Sequence, residues 1–191
     1  MKPQTIILLL LALATLSGCE TMSVTNEWKD PAWAGPPAHS VLVIGVAQNP
    51  GTRRVFEDTF AQQLNANGVQ GIPSYTVLGT SADSNQLREA VQKTGAEALM
   101  ITRVQKIQQK VDVSPGYYGG FYGWYGGAWA STPMVSQYEQ VTLETSVWST
   151  SNEKLIWSTT TQNIGTSDIP GKTASLAQTL IPKLKADHVI R

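Results

Sequence analysis

Few side chains of this sequence could carry out chemistry, and they are far apart. Among 191 residues there are one cysteine, Cys19, and two histidines, His39 and His188. A single cysteine excludes a disulfide framework and any metal site built from several cysteines. Neither histidine has a cysteine or a second histidine nearby, so we expect both to be surface or packing residues. We therefore expect no catalytic residues, no metal and no cofactor, and a protein that is not an enzyme and acts by binding.

The N-terminal region ends in a recognisable pattern at Cys19. A short apolar run at 6–13 fits the apolar region of a secretory signal and is too short for a comfortable membrane-spanning helix. It is followed by Leu16, Ser17, Gly18 and Cys19. A leucine three places before a cysteine, with two small residues between them, resembles the signal of bacterial lipoproteins. The resemblance implies that residues 1–18 are removed and that Cys19 is lipidated; the alternative is an ordinary secretory signal with an incidental cysteine.

The residue after the cysteine bears on location. In lipoproteins of enteric-type bacteria, aspartate at that position tends to signal retention at the inner membrane, and this sequence has Glu20. The resemblance therefore implies an outer-membrane protein that is lipid-anchored on the periplasmic face. Lipid chains bury enough methylene groups to hold a soluble domain at a membrane.

Residues 19–40 are predicted to be a lipid-anchored tether, followed by a periplasmic domain over 41–191. Asp-Pro at 30–31 and Gly-Pro-Pro at 35–37 interrupt regular structure. Trp28 and Trp33 are unusual in a tether. They either dock on the domain or contact lipid headgroups or a partner.

The most unusual segment lies in a predicted loop over 114–136 that joins two strands. Between Pro115 and Trp129 it has seven aromatic residues, six of the 16 glycines and no charge. Such a segment cannot easily form its own core, because each glycine adds ordering entropy and packs nothing. Three interpretations stay open: a disordered loop, a contact surface for an envelope protein or a glycan, and insertion at a lipid interface. The aromatic residues are Tyr117, Tyr118, Phe121, Tyr122, Trp124, Tyr125 and Trp129.

Two adjacent arginines, Arg53 and Arg54, lie in the first turn of a predicted helix. Cations are unfavourable there, because a helix N-terminus already carries a partial positive charge. Exposed i,i+4 ion pairs with Glu57 and Asp58 would explain them. The alternative is an anion site, in which helix amides and the two guanidinium groups meet a phosphate or a carboxylate.

The elements that must position these residues follow from the pattern of apolar residues. Continuous apolar runs at 41–46 and 98–101 indicate strands that are buried on both faces. Asn49 begins the first predicted helix, whose apolar stripe includes Phe60, and Asp83 begins the second. The predicted strands are 41–46, 72–78, 98–113, 141–147 and 155–161, and the predicted helices are 50–67, 83–95 and 171–187.

These elements give an α/β (α+β) fold, a mixed sheet of order β-α-β-α-β-β-β-α with helices packed on it. The order resembles a periplasmic fold found in the N-terminal domain of the Tol-system propeller protein, in curli-secretion lipoproteins and in lipoprotein activators of penicillin-binding proteins. The local likeness is the stretch 93–101, where a helix ends in Gly-Ala-Glu and the chain enters a buried strand at once. The stretch from Trp28 through Arg54 and Glu57 also resembles a set of uncharacterised bacterial lipoproteins. Such likeness implies a fold more than a function.

The charge balance narrows the class of partner. There are 14 basic and 14 acidic side chains, and nucleic-acid binding needs a basic excess. We expect a non-catalytic periplasmic interaction module, anchored in the outer membrane, that docks on an envelope protein, a glycan or a cell-wall machine. The alternative is an oligomeric structural subunit of a secretion or export assembly, which the curli-type resemblance permits.

Overall fold

The computed structural model describes residues 22–80, 82–114, 134–165 and 167–191. They form a six-stranded mixed sheet with three α-helices packed on it, which confirms the predicted fold class. The strands are β1 (Ser23–Lys29), β2 (Ser40–Val46), β3 (Gln70–Pro73), β4 (Ala98–Ser114), β5 (Met134–Ser149) and β6 (Leu155–Ile164), and the helices are α1 (Pro50–Ala66), α2 (Ser84–Thr94) and α3 (Ile169–Ala186).

The sheet combines a parallel part and an antiparallel part, in the order β1-β6-β5-β4-β2-β3. β2 is parallel to both β3 and β4, because α1 and α2 return the chain across the sheet between them. β4, β5 and β6 form an antiparallel meander, and β1 pairs with the outer edge of β6. The meander is the one predicted from the alternating strands.

Local sequence signals start the helices where they were predicted. The side chain of Asn49 caps the first backbone N–H groups of α1, and Pro50 occupies its first turn. Asp83 and Gln86 form a complete capping box at α2. Gly95 ends α2 with a φ of 64°, a left-handed conformation that favours glycine.

Two apolar layers enclose the sheet, because successive residues of a strand point to opposite faces. Val41 and Val43 join the core formed with α1 and α3, whereas Leu42 and Ile44 join a smaller cluster on the face covered by α2. Phe60 of α1 is fully buried in the larger core. The apolar run of β2 is therefore continuous because both faces of this strand are covered.

β1 corrects the expectation that residues 19–40 form a tether. Ser23–Lys29 is a sheet strand, paired antiparallel with β6 from Gln162 to Trp157. Its seven residues are mostly exposed and show no apolar alternation. The strand is held by backbone hydrogen bonds at a sheet edge and not by a buried face, so its side chains carry no strand pattern.

The two tryptophans near β1 take different positions. Trp33 packs against the main core, and its Nε1 donates to the carbonyl oxygen of His188 at 3.4 Å. Trp33 thus docks on the domain, which is one of the two alternatives for it. Trp28 lies on β1 and is exposed.

The strand predicted at 72–78 is wrong after its first two residues. β3 ends at Pro73, and Ser74–Thr76 form a short 3-10 helix. Proline has no N–H to donate to a sheet ladder, so the strand ends there although apolar residues continue.

The position of Phe60 generates the first prediction. Phe60→Ala should lower the free energy of unfolding by about 3–5 kcal/mol, because it empties a buried aromatic site. Chemical denaturation measures this change. The control is Val55→Ala on an exposed position of α1, for which we expect a change below about 0.5 kcal/mol. Equal effects of the two substitutions would contradict the assigned helix face.

Candidate functional site

The strand directions bring the start of β1 and the connection from β4 to β5 to the same end of the sheet. β2, β4 and β6 run toward this end, and β1 and β5 run away from it. Ser23 lies opposite Gln162, which lies opposite Thr142. We call this end of the sheet, where Ser23 begins β1, the loop end. Cys19, four residues before Ser23, and the aromatic segment 115–129 are both joined to it in the sequence.

β4 and β5 continue beyond the other described strands at the loop end. β2 leaves β4 at Arg103, and β6 leaves β5 at Gln140. The ladder between β4 and β5 continues through residues 109–114 and 134–139. We call these two stretches the arm; at 3.4 Å per residue it is about 20 Å long. The arm ends where the connection containing the aromatic segment begins.

An apolar pocket opens at the base of the arm, between the N-terminal turns of α1 and α3. Its volume is about 160 Å³, and its walls include Phe56 of α1, Leu176 of α3 and Met22, the residue before β1. Three of its lining side chains are apolar and at least half exposed: Val46 (56%), Val104 (50%) and Ile107 (54%).

Arg53 and Glu57 form an ion pair inside the protein, because residues four apart lie on one side of the helix α1. The guanidinium Nε lies 2.8 Å from Oε1 of Glu57, and the side chains are 6% and 0% exposed. Glu57 also accepts hydrogen bonds from the backbone N–H groups of Gly45 and Tyr75 and from the hydroxyl of Ser74. The carboxylate thus connects α1 to β2 and to the segment after β3.

The guanidinium group of Arg53 has further partners in that segment. It donates to the Ser74 hydroxyl at 2.8 Å and to the carbonyl oxygens of Leu78 and Gly79 at 3.2 and 3.0 Å. The expectation of an exposed surface pair is therefore wrong, although the i,i+4 partner was identified correctly. The segment after β3 packs over both side chains, and the i,i+4 spacing in the sequence does not reveal that they are buried.

Arg54 is exposed, and its guanidinium carbon lies 5.2 Å from the ring centroid of Tyr75. The Tyr75 hydroxyl donates to Oδ1 of Asp58 at 2.8 Å, and this hydrogen bond raises the pKa of Tyr75 above its usual value. Tyr75 thus contacts both residues of the expected Arg54–Asp58 pair. The anion site stays a prediction, and of its two guanidinium groups that of Arg54 is the exposed one.

The histidines lie away from the loop end. The backbone N–H of His39 donates to Oε2 of Glu97 at 2.7 Å, and its Nδ1 lies 3.2 Å from the same oxygen. The backbone hydrogen bond is the main reason that the pKa of Glu97 is lowered. His188 follows α3 and accepts the hydrogen bond from Trp33. Within the described residues, no group of three or more histidine, cysteine, aspartate or glutamate side chains is placed to hold a metal ion.

The lipoprotein signal and the aromatic segment lie outside the described residues. Leu16, Ser17, Gly18, Cys19 and the seven aromatic residues therefore keep the roles predicted from the sequence. The structure shows that both segments are joined to the same end of the sheet. It also adds the pocket, whose walls come from parts of the chain too distant for any sequence spacing to reveal.

No protein-family model matches this chain, and no curated protein sequence matches it. Among solved structures, one crystal form of the PelC dodecamer from Paraburkholderia phytofirmans is similar with a TM-score of 0.48 and 17% identity, covering 85% of this chain and 97% of that one. A second crystal form has a TM-score of 0.44 and 19% identity over 90% and 99%. Lipoprotein GNA1162 from Neisseria meningitidis has a TM-score of 0.42 and 13% identity over 77% and 98%.

At these identities the likeness concerns the path of the backbone only. The function proposed below rests on this chain's own residues. The three structures do not include the Tol, curli-secretion or penicillin-binding-protein activator proteins. That more specific resemblance stays a prediction.

The buried pair generates the second prediction. Arg53→Ala should lower the free energy of unfolding by about 3–5 kcal/mol, because it leaves the Glu57 carboxylate buried without its cation. The matched control is Arg54→Ala, which removes an exposed guanidinium from the next residue and should have a far smaller effect. Chemical denaturation of both variants checks the order. A larger loss for Arg54→Ala would show that the pair is not buried as described.

Proposed function

We propose that this protein is a lipoprotein anchored through Cys19 in the outer membrane, with a periplasmic domain that acts by binding and without catalysis. The pattern from Leu16 to Cys19 and the residue Glu20 support the anchor and its location. The shared position of β1 and the arm at the loop end is the observation that carries the binding function. The helices of the described ranges are all too short or too polar to cross a bilayer.

The short connection between Cys19 and β1 limits how far the domain stands from its anchor. Three residues lie between Cys19 and Ser23, so the four steps from one Cα atom to the next span at most roughly 14 Å. Ser23 lies level with Thr142 in the sheet. From Thr142 the strand β5 reaches Met134 at the end of the arm, about 27 Å further in the same direction. The end of the arm therefore lies about twice as far from the level of Ser23 as the connection can reach.

This difference in length brings the end of the arm to the membrane. When the strands point toward the bilayer, a lipid on Cys19 holds Ser23 closer to the membrane than the distance from Ser23 to the end of the arm. The end of the arm therefore meets the membrane even when the connection is fully extended. Tyrosine and tryptophan side chains favour the depth of the lipid headgroups, where one end of the ring is apolar and the other meets water. Of the three interpretations of the aromatic segment we therefore favour the lipid interface, with the seven aromatic residues as contacts. The domain then presents its remaining surface to an envelope protein or glycan close to the membrane.

The edges of the arm favour a second candidate function, that of an oligomeric structural subunit. Among the described strands, β4 beyond Arg103 and β5 before Glu139 pair only with each other, whereas the carbonyl oxygen of Glu139 accepts from the N–H of Gly165. Their outer edges carry backbone donors and acceptors that can pair with another strand. By contrast, β3 has four residues and ends in Pro73, and β1 contains a register shift after Val24, so both outer edges of the sheet are poor templates.

Pairing of the β4 edge of one copy with the β5 edge of the next would be a head-to-tail interface, which closes into a ring or continues as a filament. The mass of the lipidated protein in detergent, measured by light scattering, separates the two candidates. A discrete multimer supports the subunit, and a monomer supports the interaction module.

The third prediction concerns the anchor. Cys19→Ser should move most of the protein from the membrane fraction to the soluble periplasmic fraction after export, because the thiol that carries the lipid is gone and the aromatic contact alone binds reversibly. The measurement is the distribution of the protein between membrane and soluble periplasmic fractions, with intact mass to confirm that the wild type carries lipid. The signal of the variant is replaced by an ordinary secretory signal, so that it is cleaved. A variant that sediments with membranes as completely as the wild type would contradict lipid as the main anchor.

The fourth prediction concerns the aromatic segment. Replacing residues 116–129 with a short Gly-Ser turn should abolish most binding to vesicles of phosphatidylethanolamine and phosphatidylglycerol. Unfolding should stay cooperative, since halving a loop changes closure entropy by only about 0.6 kcal/mol. Both are measured in the Cys19→Ser background, so that the lipid does not mask the effect. The control keeps the length of the segment and changes its seven aromatic residues to serine; if it binds vesicles like the parent, these residues are not the contact.

A further inference from the structure

The apolar pocket at the base of the arm is not accounted for by the proposed function. Its walls include Phe56 from α1, Leu176 from α3, Val141 and Leu143 from β5, and Met22 before β1. Carbon atoms form nearly all of this lining. A sugar or peptide bound there would lose hydrogen bonds to water without replacing them, so the lining favours a hydrocarbon.

The size of the pocket fits the end of an alkyl chain. It has a volume of about 160 Å³. An apolar cavity of about 150 Å³ in another protein stays dry and binds benzene. A ligand with roughly six carbon atoms therefore fills the space, while the rest of a longer chain would lie outside the opening.

The opening of the pocket is apolar as well. Val46, Val104 and Ile107 are each at least half exposed there, whereas exposed apolar side chains on soluble domains are usually scattered singly. Both charged residues of the lining, Arg103 and Lys172, are cations. Arg103 is paired with Glu144, and Lys172 donates to the carbonyl oxygen of Gly165. A hydrocarbon chain with a phosphate group above it matches an apolar interior with cationic donors at the rim.

The anchor places the pocket beside the bilayer. Met22 is buried in the pocket wall and follows Cys19 by three residues, which span at most about 10 Å. A lipid on Cys19 therefore keeps the pocket within that distance of the membrane surface. The bilayer is also the source of hydrocarbon chains with phosphate headgroups.

We propose that the pocket binds the end of one acyl chain of a bilayer phospholipid. The chain enters past Val104 and Ile107, and the headgroup stays near Arg103 and Lys172. This contact holds the domain against the membrane at a second point and fixes the direction of the arm. The proposal rests on the proposed lipid anchor, which brings the pocket to the membrane.

The test uses the lipidated mature protein in vesicles of phosphatidylethanolamine and phosphatidylglycerol. The vesicles contain a phosphatidylcholine with a photoreactive diazirine at the end of one acyl chain. After irradiation, cross-linked peptides are mapped by mass spectrometry. We expect labelling of the tryptic peptide 173–183, which carries Thr173 and Leu176 of the pocket wall. Absence of label on this peptide would overturn the proposal, and it is also the result expected if an acyl chain of Cys19 itself filled the pocket.

Matched variants separate the pocket from general contact with lipid. Val104→Asp places a charge at the opening and should lower labelling of peptide 173–183 at least fivefold. Val55→Asp makes the same change at an exposed valine of α1 outside the pocket and should leave labelling unchanged. Ile107→Asp, at a second exposed position of the opening, repeats the test if Val104→Asp unfolds. Labelling that neither opening variant reduces would overturn the proposal.

Intact mass distinguishes failure of this proposal from failure of the anchor. A mature protein without lipid on Cys19 would contradict the proposed function. Labelling of peptide 173–183 by added vesicles would then still support the pocket. A lipidated protein whose pocket peptide stays unlabelled keeps the anchor and loses the pocket.

Discussion

The buried pair of Arg53 and Glu57 is the interaction on which the loop end of the fold depends. One carboxylate accepts hydrogen bonds from the arginine of its own helix, from the end of β2 and from the segment after β3. Burial of both charges is unfavourable unless their donors and acceptors find partners. Here the guanidinium group also meets the Ser74 hydroxyl and two carbonyl oxygens. The pair therefore fixes three segments relative to one another where the parallel strands end.

The same constraint shapes the apolar pocket. The N–H of Gly45 donates to Glu57, which holds the end of β2 under α1. A Cβ atom at Gly45 would lie 2.8 Å from the ring of Phe56, so the missing side chain lets that ring lie close to the strand. Phe56 then forms a pocket wall, while its neighbour Glu57 makes the polar contacts. A polar cluster on one side of α1 thus supports an apolar site on another side.

Much of the fold could be predicted from the sequence, because the inner strands are buried on both faces and the helices begin with capping residues such as Asn49 and Asp83. β1 could not, since an edge strand held by backbone hydrogen bonds needs no apolar pattern. In the candidate site, the motif at Cys19 is local, so its lipidation can be predicted from the sequence and stays a prediction. The burial of Arg53 could not be read, because an i,i+4 pair has the same spacing on a surface and under a covering segment.

The finding that β1 is a strand changes what an anchor at Cys19 would do. A free tether of residues 19–40 would reach roughly 65 Å and would let the domain turn in any direction. With Ser23 paired to β6, only the residues between Cys19 and Met22 remain to separate the domain from its lipid. The stretch from Cys19 to Met22 reaches at most about 10 Å, so a lipid on Cys19 would keep the loop end near the bilayer whichever way the domain turns. The arm and the pocket would then both lie close to the membrane, because a backbone ladder has replaced a linker.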